Sequence, residues 1–255
     1  METVFQTFPL WLWVAALGIA FFAGFVKGVV GFAMPLILVS GLGSLIAPEL
    51  ALAGLILPTV ITNMHQALRS GVDAAAQAVG RFRWFLAAGG LFLILGAQVV
   101  PLVPKSAYFL MLGIPIIIFV LSQLLGWRPA GTVQTKRLDI GIGAFAGFFG
   151  GIAGVWGPPT VSYLTALNTE KNLQIQVQGV IYLLGAIVLV FAHVFSGVFT
   201  LETALFSLCL VPPAILGMIA GLMVHDRIDQ ETFRRATLVV LLLAGVNLVR
   251  RGVFV

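Results

Sequence analysis

The chain has 255 residues, 60% hydrophobic and only 9% charged, with a mean hydropathy of +1.10, whereas a soluble domain carries about 25% charged and roughly 45–50% apolar residues. This inventory cannot clothe a water-facing surface and defines an integral membrane protein. The formal charge of +5 sits in short clusters between apolar runs, where orientation in the bilayer accounts for it and no nucleic-acid partner is called for.

The apolar runs are too long for barrel strands, so the expected fold is all-α, a polytopic helical bundle. Eight segments succeed one another at about 8–47, 48–68, 84–103, 106–125, 138–167, 172–195, 201–224 and 236–249. Connections are short, and the chain reads as a single membrane domain over 1–255. The first residues lack the basic stretch and cleavage site of a signal peptide, so segment one is expected to stay in the protein.

Segment one contains one charge, Lys27, and as a straight helix would run ~60 Å, twice the ~30 Å hydrocarbon core. Gly24, Gly28 and Gly31, followed by Pro35, supply a flexible stretch and then a residue suited to start a new helix. A helical hairpin that dips in and returns on the same side solves the length problem. Segment two places Thr59, Asn63 and Gln66 on one helical face, with His65 alongside. After segment four comes the one candidate linker, residues 126–137, which divides the chain into two fours: about 8–125 and about 138–250.

Segment five repeats segment one. Residues 18–35 and 141–158 share nine identities in eighteen at a shift of 123, with Gly24/Gly147, Gly28/Gly151, Gly31/Gly154 and Pro35/Pro158 coinciding. Trp156, Thr160, Ser162 and Tyr163 make this second break more polar and aromatic than the first. Segment six carries Gln174, Gln178 and Tyr182 on one face. Segment seven holds the single cysteine, Cys209, expected as a small core residue; one cysteine allows no intrachain disulfide and no cysteine cluster. His193 and His225 are expected at the membrane interface, and all nine acids at segment ends or in loops. Segment eight offers only 14 apolar residues between Arg234-Arg235 and Arg250-Arg251.

Charge counting bears on topology. If all eight segments cross, the Lys and Arg outside segment one divide eight against five; if segments one and five are re-entrant and six cross, they divide ten against three. The positive-inside rule favours the second arrangement, two inverted repeats of one broken hairpin plus three spans, with eight straight spans as the alternative.

Unwound backbone at membrane depth is tolerated only where protein buries it or it lines a cavity, so the two breaks mark the expected binding site. Helices beginning at Pro35 and Pro158 would point positive dipole ends into it, which favours an anion. An embedded cation costs about 2.5–3.5 kcal/mol and is usually paired or functional. Lys27 has no obvious internal acid, and a small anionic substrate is an economical partner.

The paired motifs, Gly24-Phe25-Val26-Lys27-Gly28-Val29-Val30-Gly31-Phe32-Ala33-Met34-Pro35 and Gly147-Phe148-Phe149-Gly150-Gly151-Ile152-Ala153-Gly154-Val155-Trp156-Gly157-Pro158, resemble those of the sulfite exporter TauE/SafE family, also called the 4-toluene sulfonate uptake permease family. The resemblance covers essentially the whole chain. It implies a bacterial inner-membrane carrier for small sulfur-containing or organic anions such as sulfite and organosulfonates.

Together these readings give a carrier, not an enzyme, working by alternating access between the two broken helices. Its candidate substrate-binding residues are Lys27, Gly28, Gly31, Pro35, Thr59, Asn63, His65, Gly154, Trp156, Pro158, Thr160, Tyr163, Gln178 and Tyr182. No cofactor or metal is called for. The partners are the anion and the lipid bilayer, and a homo-oligomer is compatible with the sequence. Two other classes compete: a non-transporting assembly subunit, and a membrane-embedded hydrolase, for which no acid/base pair or nucleophile is found.

Overall fold

The computed structural model describes residues 8–68, 71–102, 104–126, 133–154, 156–167, 169, 171–225, 227 and 230–254, all but the connections in helices. In chain order they are α1 (Leu10–Val30), α2 (Met34–Gly43), α3 (Pro48–Leu68), α4 (Val72–Arg81), α5 (Arg83–Val99), a 3-10 turn (Val100–Leu102), α6 (Lys105–Leu124), α7 (Lys136–Ala153), α8 (Gly157–Ala166), α9 (Lys171–Phe195), α10 (Leu201–His225) and α11 (Gln230–Phe254). Half of the candidate linker, residues 127–132, lies outside the described residues, as do the side chains of Pro158, Ser162, Gln174 and His225.

Segments one and five are broken, each into a long helix and a ten-residue one. Local chemistry sets both breaks. Gly31 and Gly154 adopt left-handed φ of 79° and 66°, and each amide donates at 2.7 Å to the carbonyl four residues back, on Lys27 and Gly150. Only glycine takes that conformation without strain. The end of α1 and of α7, and the starts of α2 and α8 and of α3 and α9, are each separated by the same 123 residues.

Both pairs are antiparallel hairpins: Gly41 faces Ile19 across the first, and Trp156 packs on Gly150 across the second. The first limb is longer than a dipping half-helix. Leu10–Val29 is long and apolar enough to cross, as are Pro48–Leu68, Gln176–Phe195 and Leu201–Val224. Helices α4 and α5, bent by 80°, add a fifth crossing if taken as one span. The expected six or eight full crossings are therefore more than the four or five that meet both length and apolarity among the described residues. The 14 apolar residues of segment eight sit within the 25-residue α11, because the flanking polar residues continue the helix. Helix α4 lies between the expected segments two and three, where residues 72–81 coil between Gly71, at a positive φ of 93°, and the bend at Phe82.

Helices α3 and α9 form the centre. Residues 51–56 and 177–182 are buried without interruption, as in a helix apolar on every side. Around them, α1 packs parallel to α10 and α7 parallel to α5. A Cβ on Gly24, Gly28 or Gly217 would fall onto the backbone of Ala214, Met218 or Phe21, and one on Gly143, Gly147 or Gly151 onto that of Phe85, Gly89 or Leu93. Contacts of Gly113 with Val249 and of Gly252 with Leu110 run α6 antiparallel to α11.

Two expectations about single residues are corrected. His193 is buried, its Nε2 2.8 Å from the Gly151 carbonyl and its Nδ1 3.2 Å from Ser196 Oγ, so the ring satisfies polar groups inside the bundle. Cys209 is exposed on the outer face of α10. Asp139 stands in the first turn of α7, at the segment end where it was expected, and is only 3% exposed; the Tyr163 hydroxyl (2.6 Å) and the Gln134 amide (3.3 and 3.2 Å) donate to its carboxylate.

Candidate functional site

The two breaks meet at one cavity. It is lined by Lys27, Phe32, Ala33, Pro35, Leu36, Asn63, Trp156, Gly157 and Tyr182. One end of α2 and one end of α8, both N-terminal, thus face the same space.

Lys27 lies one turn before Gly31 and is 3% exposed. Its ammonium donates to Asn63 Oδ1 on α3. An ammonium has three donors and no acceptor, so one neutral amide oxygen satisfies only part of it and offsets none of its charge. One turn before Asn63 on the same helix is Thr59, fully buried, whose hydroxyl has no hydrogen-bond partner among the described residues. A buried polar atom without a partner calls for an explanation, and a ligand group is one.

The helix ends differ in donors. At α2 the first acceptor is the Ala33 carbonyl, bonded by Ile37 at 3.0 Å; Met34 and Leu36 carry N–H groups without intrahelical partners, while Pro35 has none. At α8 the prolines at 158 and 159 remove two amides, leaving Gly157 as the amide donor of the first turn. The dipole acts at both ends. Ala33 also has a left-handed φ of 77°, unique among the described non-glycine residues. Such strain of order 1–2 kcal/mol persists where surrounding structure enforces it, commonly at functional sites.

Aromatic groups close the other side. Trp156 and Tyr182 meet edge-on, ring centroids 6.4 Å apart, and the Tyr182 hydroxyl donates to the Gly157 carbonyl at 3.4 Å. Trp156 stands at the position that Ala33 holds in the first break, at the shift of 123.

Of the expected site residues, the structure brings Lys27, Pro35, Asn63, Trp156 and Tyr182 to the cavity wall. Gly31 and Gly154 form the turns, and Gly28 packs against α10. Pro158 follows Gly157 in the first turn of α8. Gln178 is buried in the centre of α9, outside the wall, and His65 is exposed. Two hydroxyls are turned to other work. Thr160 donates back to the Trp156 carbonyl at 2.8 Å, a bond open to any helical threonine. Tyr163 reaches Asp139 at the far end of the hairpin. The residues that sequence reasoning passed over are Phe32, Ala33, Leu36 and Gly157; each lies within two residues of a glycine or proline of a break, which was the available signal.

Neither the curated proteins nor the solved structures offer a match to this chain. A family model described as Sulfite exporter TauE/SafE matches residues 16–248, nearly the whole chain and both broken helices. With its apolar helices and a cationic cavity between two helix breaks, the chain belongs to the sulfite exporter TauE/SafE family of membrane transporters.

Proposed function

We propose that this membrane transporter carries a small sulfur-containing anion, sulfite or an organosulfonate, outward across a bacterial inner membrane by alternating exposure of the cavity between the two breaks. The observation that carries the proposal is the convergence of Lys27 and the N-terminal ends of α2 and α8 on one buried space. An anion there would restore neutrality to a cation whose burial is otherwise costly. Two ammonium donors, the Asn63 amide and the Thr59 hydroxyl supply hydrogen bonds to its oxygens, and the helix ends supply dipole. An inside-negative membrane favours anion export by ~2.3 kcal/mol per charge per 100 mV.

The helix register supports an inverted arrangement of two repeats, about 8–125 and 138–250. If α5 and α6, and likewise α10 and α11, run in opposite directions across their short connections, the antiparallel contact of α6 with α11 makes α5 and α10 antiparallel. The parallel pairs α1/α10 and α5/α7 then make α1 and α7 antiparallel. On that reading α1/α7, α5/α10 and α6/α11 are each reversed, and two hairpins entering from opposite faces would present their tips to one site, a layout suited to alternating access.

The test is flux of sulfite and a panel of sulfonates and carboxylates in proteoliposomes, for wild type and Lys27→Met side by side. Saturable flux of a sulfur oxyanion, lowered at least tenfold in folded Lys27→Met, is the expected result. Equal flux in the variant would remove Lys27 from the site, and no flux of any anion under either polarity would return the assembly-subunit alternative.

A further inference from the structure

A second space lies beside the cavity. A groove runs between α5, α7 and α9. Leu86, Gly90, Leu184 and Val188 on its walls are only half-buried, so it opens on the outside of the bundle. Its lining is apolar, and Trp156, which also walls the anion cavity, closes its inner side. Its other end is the first turn of α5, at Phe85 and Leu86.

That end adjoins a cationic corner. Here the chain turns through 80° from α4 into α5. Arg83 and Lys136 both sit on the Trp84 ring, with the guanidinium carbon 5.6 Å and the ammonium 3.9 Å from its centroid. Both cations are exposed. Asp139, the acid of this corner, is buried and engaged by Tyr163 and Gln134, so it does not neutralise them at the surface.

We propose that the groove and its basic corner form a binding site for an anionic phospholipid, its phosphate held by Arg83 and Lys136 and one acyl chain laid along the groove to Trp156. Basic pockets between membrane helices select anionic head groups, and an apolar crevice beneath them seats a chain. A free phosphate would leave the groove unused, and a zwitterionic lipid would not answer the two cations. The chain presses on Trp156 from the side away from the anion cavity, which makes bilayer composition an input to that site.

Gly90 lines the groove and has open space where a Cβ would stand, so a large side chain there fills the groove without meeting backbone. The test uses the purified full chain in phosphatidylcholine bicelles, titrated with phosphatidylglycerol or phosphatidylcholine brominated on one acyl chain. It reads the tryptophan fluorescence that a Trp156→Phe variant lacks. Saturable quenching is expected at a several-fold lower mole fraction of the phosphatidylglycerol. Arg83→Gln with Lys136→Gln brings the two lipids level, and Gly90→Phe removes the Trp156 quenching. Gly90→Leu gives the same readout should the phenylalanine variant fail to stay monodisperse. Equal quenching by both lipids in the wild-type chain overturns the head-group site, and undiminished quenching in a folded Gly90 variant overturns the seat for the chain.

Discussion

The two broken hairpins share their turns and differ in almost everything attached to them. Gly31 and Gly154 take the same left-handed conformation and make the same 2.7 Å capping bond. The first hairpin then carries the buried cation and the strained Ala33; the second has Gly150 and Trp156 at those positions. At their open ends the contrast is reversed. Asp139 and Tyr163 tie α7 to α8, whereas the positions 123 residues earlier are Ala16 and Ser40, and an open groove lies along that hairpin beside Gly18, Ile37 and Ser40. One hairpin concentrates charge and strain at its tip, and the other is pinned at its base. A repeated backbone device can thus be given separate tasks by the side chains around it.

The largest expected effect concerns what the hairpins share. Gly24→Val and Gly147→Val each drive a side chain into the facing backbone, of Ala214 in one case and of Gly89 in the other. Overpacking typically costs 1–3 kcal/mol, and about that much or more is expected where backbone must move. Both variants should lose most of their monodisperse protein by size-exclusion chromatography. A clear difference between them would mean that the two interfaces are not equivalent.

A smaller effect separates the bases. Tyr163→Phe removes a donor from a buried carboxylate and should cost about 1.5–3 kcal/mol, lowering the melting temperature by several degrees. The reciprocal change Ser40→Ala should shift it by less than half as much, since that hairpin lacks the acid. Equal shifts would erase the asymmetry. The smallest effect is at the tips: Ala33→Gly relieves a φ of 77° and should stabilise by about 0.5–1 kcal/mol, seen as a rise of a few degrees. A fall in melting temperature would show that the methyl group contributes more to the cavity wall than the strain costs.

Much of the fold was legible because its causes are local. Composition fixed the membrane class, and Gly31 with Pro35, and Gly154 with Pro158, marked the breaks, since freedom at positive φ and a missing amide act within a few residues. Lys27 stood out as a lone charge in an apolar run, and Asn63 as part of a polar stripe on segment two; that the two meet is decided by the placement of α1 against α3. Other parts depended on partners distant in sequence. Gly24, Gly28, Gly147 and Gly151 looked like parts of flexible breaks, but they are contact points with α10 and α5, and only the parallel pairing of those helices reveals it. Thr160 and Tyr163 were equivalent in the sequence to Thr59 and Tyr182. A hydroxyl in an apolar helix takes whichever acceptor is nearest: for Thr160 it was its own helix, for Tyr163 the carboxylate 24 residues back, and for Tyr182 a carbonyl at the cavity wall. The sequence by itself determined where the backbone breaks and which charge is buried, because each follows from the residue and its immediate neighbours. The tertiary structure decided which polar groups face the cavity, because that choice belongs to helices brought together from opposite halves of the chain.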